Sequence, residues 1–346
     1  MDRIIDALRC LLSGRGKGFS GRGLLLAVAL SVLAAPVAHA QPDLSRRIGT
    51  TVADTGAPGY RFESFRLASS DGQRHYRIRV AVPLADAPAD GFPAAFLLDG
   101  NAALMEVDAG LLATLADAPH PPMVVFISYD DDLRINATGR AYDYTPRRSG
   151  GELAQVDVRG GRRTGGAADF LALVTGEVMP RVAALAPLDP RRRTVWGHSY
   201  GGLFVLHVLF TRPQSFDRYV AVDPSLWWGD GHLLEEERRA RSPSSGAAIQ
   251  ILVGEGARTP SPHRAPDAAP SPAVAAMRRA RAGIPADAAL QMAARLRESG
   301  LEVDYRTLPG LSHGDTLGGS LPIMLRGIAG LEHGHEAMRP VAPAGP

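Results

Sequence analysis

Six short, mainly apolar runs constrain the fold of this chain more than any other feature of its sequence. They are AAFLL (94–98), MVVFI (123–127), RTVW (193–196), RYVAV (218–222), IQILV (249–253) and VDYRTL (303–308). Because most of them lack apolar–polar alternation, they suit strands buried on both faces, as in a parallel sheet covered by helices. Helical stretches separate the runs, at 167–185, 202–210, 286–300 and 320–328. The sequence therefore predicts an α/β fold with a mostly parallel central sheet and helices on both faces.

Two alternating segments precede this pattern. YRFESFRLAS (60–69) and HYRIRVAVP (75–83) are joined by Asp71-Gly72, a turn sequence typical of hairpins. They predict an antiparallel start to the sheet and place the folded domain at residues 60–330, after a linker at 41–59. A stretch rich in Pro, Ala and Ser (257–273) predicts a surface excursion, and residues 331–346 predict a disordered tail.

The first forty residues have the pattern of a secretory signal. Five basic residues precede an apolar run at 24–33, which is followed by Ala38-His39-Ala40. This order of positive start, short apolar core and small-residue end predicts a signal peptide at 1–40 and export of the remainder. The run is shorter than the roughly 20 residues of a membrane-spanning helix, so we expect no stable membrane insertion after cleavage. An uncleaved anchor is the alternative.

Cleavage of the signal changes what the composition implies. The rest of the chain carries 33 basic and 34 acidic residues, so net charge gives no support to nucleic-acid binding. Cleavage also removes Cys10, the one cysteine of the sequence. Disulfides and thiol chemistry are therefore excluded from the exported protein.

A serine between two glycines follows one of the predicted strands. Gly197-His198-Ser199-Tyr200-Gly201 lies between RTVW and the apolar helical stretch GLFVLHVLF. Glycines on both sides allow a tight strand-to-helix turn that exposes a nucleophile at the carboxyl end of a strand. The N–H groups of the following helix would stabilise negative charge beside it. Ser199 is thus the predicted nucleophile, and the backbone N–H of Tyr200 is the first predicted oxyanion donor.

A serine hydroxyl needs an adjacent base, and in such a fold the base follows the last strand. His313 lies five residues beyond VDYRTL, in the segment LPGLSHGD, and is the predicted base. Chain order places a catalytic acid after IQILV, where Glu255 is the nearest carboxylate. Asp223, directly after RYVAV, is the alternative acid, and a Ser–His pair without a strong acid is a third arrangement.

The second oxyanion donor is expected in the loop after the strand AAFLL. Asp99-Gly100-Asn101 occupies that position. Gly100 would allow the backbone to approach a ligand, and the backbone N–H of Asn101 is the predicted donor.

Six segments, taken together, resemble the Putative esterase family of α/β-hydrolases. They are LLDGNAALM (97–105), RAYDYTP (140–146), GGAADF (165–170), WGHSYGGLFVL (196–206), DPSLWW (223–228) and LPGLSHG (308–314). The resemblance spans about residues 60 to 328, and it is strongest to the branch of periplasmic trilactone esterases that linearise enterobactin and salmochelin. Asp223 departs from the pattern, because most of the wider family has Ser before Pro-Ser-Leu.

This resemblance implies a periplasmic α/β-hydrolase that hydrolyses the ester backbone of a ferric-catecholate siderophore. It implies a Ser–His dyad whose acid is weak or absent. We expect a monomer without a metal or organic cofactor, since iron would enter only as part of the substrate. Arg140, in RAYDYTP, is the expected cation for catecholate oxygens, and Trp227 and Trp228 would form an aromatic wall for a catechol ring. Gly100 and His198 complete the expected substrate-binding set.

Two other functions stay open at this point. One is a different exported serine hydrolase or acyltransferase of the same family, acting on carbohydrate, thiol or lipid esters. The other is a siderophore-binding protein that keeps the fold without catalysis, which an unreactive Ser199 would favour.

Overall fold

The computed structural model describes residues 45–150, 155–157, 161–240, 246–256 and 272–331. These residues form one eight-stranded sheet. Its strands are β1 (Tyr60–Ala68), β2 (His75–Pro83), β3 (Phe92–Leu97), β4 (Met123–Tyr129), β5 (Leu188–His198), β6 (Arg218–Val222), β7 (Ala248–Gly254) and β8 (Glu302–Leu308). The strand order is β1-β2-β4-β3-β5-β6-β7-β8. β1 pairs antiparallel with β2 and β2 with β4, and all later neighbours pair parallel.

Eleven α-helices lie in the described residues. They are α1 (Val52–Thr55), α2 (Gly100–Leu104), α3 (Ala109–Ala116), α4 (Ala137–Asp143), α5 (Ala167–Leu173), α6 (Met179–Ala183), α7 (Tyr200–Thr211), α8 (His232–Arg239), α9 (Pro272–Ala282), α10 (Ala288–Glu298) and α11 (Thr316–Ala329). A π-helical turn, Val174–Val178, joins α5 to α6, and a 3₁₀ turn, Trp228–Asp230, precedes α8.

Alternate residues of the central strands face two separate cores. In β4, Met123 and Val125 belong to the first core, whereas Val124 and Phe126 belong to the second. Helices α5, α7 and α10 cover the first core, and α3 and α11 cover the second. Burial on both faces explains why these strands appear in the sequence as apolar runs without alternation.

The predicted fold class is confirmed, and the predicted strands agree with the observed ones except at their ends. β5 begins at Leu188 rather than near residue 193, because its first half, LDPRR, carries polar residues and a proline that hide a strand in the sequence. The predicted signal peptide, nearly all of the predicted tail and most of the excursion at 257–273 lie outside the described residues. None of the helices in the described residues combines the length and the hydropathy that a membrane span requires.

Three strained residues mark the carboxyl edge of the sheet. Asp99, Ser199 and Asp223 have positive φ angles of 49°, 60° and 42°, and they follow the neighbouring strands β3, β5 and β6. A left-handed backbone costs a residue other than glycine about 1–3 kcal/mol, and such residues concentrate at functional sites. This edge of the sheet is therefore the expected place of a functional site.

Candidate active site

Ser199 lies on the sharp turn between β5 and α7. Its backbone angles are φ 60° and ψ −109°. A Cβ built at Gly197 would lie 2.4 Å from the backbone of Gly201, so the strand and helix can cross this closely only with glycine at 197. This crossing sets the serine at the edge of the sheet, in the geometry that the motif predicts.

His313 lies in the loop between β8 and α11, beside the serine. Its Nε2 is 3.2 Å from Oγ of Ser199, a distance from which a hydroxyl proton can pass to an imidazole. When Nε2 accepts a hydrogen bond from the Ser199 hydroxyl, Nδ1 carries the ring hydrogen and points away from the serine. The structure thus brings together the two residues that the sequence predicts as nucleophile and base.

Asp223 faces the other nitrogen of His313. Its Oδ2 lies 3.7 Å from Nδ1 of His313, longer than a hydrogen bond but within ion-pair distance. The same oxygen accepts a hydrogen bond from the Thr316 hydroxyl, and Oδ1 accepts one from the backbone N–H of Gly254 at 3.2 Å. The carboxylate is therefore held in place beside the imidazole.

Glu255 does not take this position, which corrects the preferred expectation from the sequence. A Cβ at Gly254 or Gly256 would lie within 2.5 Å of the backbone of the Gly310–Leu311 turn. These two glycines therefore face the loop that carries the base. In an extended chain the residue between them points the opposite way, and Glu255 is indeed exposed.

A second serine, Ser225, contacts the nucleophile, and the sequence analysis did not predict it as a site residue. The hydroxyl oxygens of Ser225 and Ser199 are 3.2 Å apart, and the Ser225 N–H donates to the Ser199 carbonyl at 3.1 Å. Ser225 is 1% exposed. Its position within DPSLWW was the only signal available in the sequence.

Helices α2 and α7 both begin at this edge of the sheet. Asn101 and Tyr200 lie in their first turns, where backbone N–H groups point out of the helix end. The side chain of Asn101 is occupied elsewhere, since its Nδ2 donates to the carbonyls of Asp131 and Leu133. Gly100 has a different role from the expected one. A Cβ there would lie 2.6 Å from the β4 backbone, so this glycine permits packing on a strand rather than contact with a ligand.

Arg140 is buried beneath the site and does not fit the expected role of a substrate contact. Its Nε and Nη2 donate to the two carboxylate oxygens of Asp99, at 3.0 and 2.8 Å. Nη2 also donates to the carbonyl of His198 at 3.1 Å. The guanidinium is thus occupied by a bidentate pair that joins the loop after β3 to the nucleophile turn.

His198 also points inward, away from the expected substrate contact. Its Nε2–H donates to the carbonyl of His313 at 2.7 Å, and the two imidazole rings are 4.7 Å apart. A carbonyl can only accept, so this bond fixes the tautomer of His198. Burial and the nearby charge of Arg140 lower the pKa of His198 to about 3. His198 is therefore a neutral imidazole that anchors the loop carrying His313.

We expect His198 to make the folded protein sensitive to acid. The unfolded residue binds a proton below about pH 6.5, whereas the folded one resists it down to about pH 3. Since the unfolded state binds more protons in this window, stability falls as the pH falls, by about 2.5 kcal/mol between pH 7 and pH 4.5 from this group alone. Urea unfolding of the wild type and of His198→Gln between pH 7 and 4.5 measures the effect. The glutamine can still donate but does not titrate, so equal losses in both proteins would contradict this assignment.

The two tryptophans differ in their surroundings. Trp228 is 3% exposed, and it packs against His232 with Arg148 over its ring, which makes it part of the core rather than an aromatic wall. Trp227 lines a cavity of about 350 Å³ whose other lining residues include His313 and Asp223. Arg281, on α9, lines the same cavity, and nothing in the sequence pattern pointed to it.

Three side chains of the site could in principle ligate a metal ion. One ligand atom each of His198, Asp223 and His313 lies within 4.8 Å of the others. However, Nε2 of His198 is bonded to a carbonyl and Nε2 of His313 faces Ser199. We therefore interpret the group as the hydrogen-bonded surroundings of a nucleophilic serine.

Comparison with known proteins agrees with this geometry. Residues 69–290 match the family model described as Putative esterase. The apo-salmochelin esterase of Escherichia coli is 36% identical over 238 residues, which cover 68% of this chain and 73% of that protein. The siderophore enterobactin esterase of Emericella nidulans is 35% identical over 188 residues, covering 50% of this chain and 60% of that protein.

A solved structure supports the same relationship. The enterobactin and salmochelin hydrolase IroE superposes with a TM-score of 0.63 and 30% identity, over 81% of this chain and 99% of that one. Its sheet and helices are those of an α/β-hydrolase, as they are here. On the sequence match, the structural match and the serine–histidine geometry, this chain is an α/β-hydrolase that belongs to the Putative esterase family.

Proposed function

We propose that this protein is a serine esterase that hydrolyses the trilactone backbone of a catecholate siderophore of the enterobactin or salmochelin type. The main support for a serine esterase is the 3.2 Å distance between Ser199 Oγ and His313 Nε2 at a strained strand-to-helix turn. The names of the similar proteins support the substrate class, because the bacterial, fungal and structural relatives described above all carry siderophore names.

The first half of the reaction forms an acyl-enzyme. His313 Nε2 takes the hydroxyl proton as Ser199 Oγ attacks an ester carbonyl of the trilactone. The oxyanion that forms accepts hydrogen bonds from the backbone N–H groups of Tyr200 and Asn101, at the start of α7 and α2. The tetrahedral intermediate then collapses, and the protonated His313 gives its proton to the leaving alkoxide. The opened trilactone stays attached to the serine.

The second half repeats these steps with water. His313 takes a proton from a water molecule, which attacks the acyl carbonyl, and the serine leaves with the proton returned by the histidine. The product carries one new carboxylate and one new hydroxyl. Two further rounds would release the three arms separately.

Asp223 completes the proposed machinery as the acid. Each half-reaction passes through a positively charged His313, which a carboxylate near Nδ1 stabilises and orients. The 3.7 Å separation is long, but catalytic hydrogen bonds in ligand-free enzymes often tighten only when substrate is bound. The family resemblance implied a weak or absent acid, and Asp223 is the residue by which this chain departs from that pattern.

The location and assembly follow from the same reasoning. The signal-like segment at 1–40 supports a periplasmic enzyme, placed where an imported siderophore would be met. All of the proposed catalytic groups come from one chain, which is consistent with a monomer. Iron would take part only as a component of the substrate.

Incubation of the purified protein with iron-free and ferric enterobactin tests this function. We expect chromatography with mass detection to show linear trimer first, followed by dimer and monomer, because each cycle opens one ester. An intact trilactone, with p-nitrophenyl butyrate still cleaved, would contradict the siderophore assignment and leave the esterase. If neither compound is cleaved, the enzymatic assignment itself is wrong.

A further inference from the structure

The cavity beside His313 has a composition suited to a particular kind of ligand. Its wall is about half polar and half apolar, and Leu226, Val253 and Ile284 contribute to the apolar part. Its volume is about 350 Å³, near the lower end of the roughly 300–1,000 Å³ typical of small-molecule sites. A space of this size accommodates one substituted aromatic ring and its amide linkage, but not the three arms of a trilactone together.

A cation and an aromatic face stand together in this cavity. The guanidinium of Arg281 lies 5.2 Å from the centre of the Trp227 ring, a distance at which the two attract each other. Among the described residues of the lining, Arg281 is the one arginine or lysine. It lies on α9 and is half-buried.

The Trp227 ring also lies near the reacting groups. The Trp227 ring is 6.1 Å from the ring of Tyr200, the residue that follows the nucleophile. The cavity also has both His313 and Asp223 in its wall. A ligand held there lies close to the base of the reaction, which is where an arm joined to the reacting ester would be.

We propose that this cavity is the subsite for one aryl arm of the substrate, and that Arg281 selects rings carrying hydroxyl or carboxylate oxygens. The apolar part of the wall and Trp227 take the ring, and the planar guanidinium donates paired hydrogen bonds to adjacent ring oxygens. This inference rests on the proposed function and adds a residue that determines specificity. A pocket for a plain acyl chain would need no cation.

A binding measurement that needs no turnover tests the subsite directly. The ligand is 2,3-dihydroxybenzoylserine, a single arm, and benzamide serves as a neutral ring without hydroxyl groups. Tryptophan fluorescence follows the titration, and Trp227→Phe identifies the contribution of the cavity. We expect Arg281→Gln to weaken binding of the hydroxylated arm about tenfold and to leave the weak binding of benzamide within about twofold. Arg279→Gln is the matched control, because Arg279 is exposed on the same helix.

Steady-state kinetics give the second readout. We expect Arg281→Gln to lower the ratio of kcat/KM for iron-free enterobactin over kcat/KM for p-nitrophenyl butyrate about tenfold, mainly through KM, as the loss of binding energy requires. Thermal unfolding checks that the variant is folded.

The outcomes separate this inference from the proposed function. Equal binding of the hydroxylated arm by wild type and Arg281→Gln would overturn the subsite, even if enterobactin is hydrolysed. An intact trilactone beside selective, Arg281-dependent binding of the arm would overturn the trilactone function and keep the subsite for another aryl ester. Equal affinity for benzamide and the hydroxylated arm would identify an apolar acyl pocket instead.

Discussion

Replacing Ser199 by alanine is expected to lower kcat for p-nitrophenyl butyrate by about 10⁵-fold or more, to near the background rate. Removal of the serine nucleophile alone costs subtilisin about 10⁶-fold, because the rest of the catalytic group has nothing to activate. Here the hydroxyl is the group that Gly197, the φ of 60° and the neighbouring His313 hold in place. Alanine loses one oxygen and little packing, so the fold should be unchanged.

Ser225→Ala is the matched control for that experiment. Its hydroxyl lies 3.2 Å from Ser199 Oγ, and it is equally small and more deeply buried. Loss of one hydrogen bond of about 1 kcal/mol predicts a decrease of less than tenfold. If Ser225→Ala is as inactive as Ser199→Ala, Ser225 takes part in the chemical step itself and the assignment of Ser199 alone is wrong. Substantial activity in folded Ser199→Ala would remove Ser199 as the nucleophile.

Replacing Asp223 by asparagine is expected to lower kcat about 10³-fold with little change in KM. Asparagine removes the negative charge beside Nδ1 of His313, where the imidazolium forms, and it can present its amide to the ring and favour the wrong tautomer. The equivalent change in the well-studied serine proteases costs about 10⁴-fold. We expect a smaller loss here because the carboxylate lies 3.7 Å from Nδ1.

Glu255→Gln provides the comparison within the same chain. Glu255 is exposed, and it points away from the His313 loop that Gly254 and Gly256 face. The kcat of Glu255→Gln should therefore stay within about twofold of wild type. Kinetics with p-nitrophenyl butyrate and thermal unfolding of both variants decide between the carboxylates. A large loss in Glu255→Gln with a small one in Asp223→Asn would reverse the assignment. Small losses in both would mean a Ser–His dyad that works without an acid.

The sequence was sufficient to predict the central sheet and the nucleophilic serine, because both depend on short-range patterns. Strands buried on both faces must be continuously apolar, and β4 and β6 were found where such runs occur. The turn at Ser199 requires glycines at fixed spacing, which a motif can show. The position of His313 followed from chain order in this fold class, which places the base after the last strand.

The acid and the substrate contacts depend on long-range geometry that no local pattern reveals. Chain order favoured Glu255, but Gly254 and Gly256 face the His313 loop and turn the glutamate outward. Arg140 had the charge expected of a catecholate contact, yet its partner Asp99, 41 residues earlier, holds it inside the protein. Arg281 is far in sequence from every recognised motif and reaches the site only through the packing of α9.

Labelling with diisopropyl fluorophosphate, followed by intact-mass measurement and peptide mapping, identifies the nucleophile of the protein. The reagent reacts with a serine hydroxyl only when a neighbouring base activates it. We expect one diisopropylphosphoryl group per chain, on Ser199, with labelling slowed in Asp223→Asn and absent in Ser199→Ala. A folded wild-type protein that takes up no label, or takes it up at another residue, would contradict the claim that Ser199 is the nucleophile of an esterase.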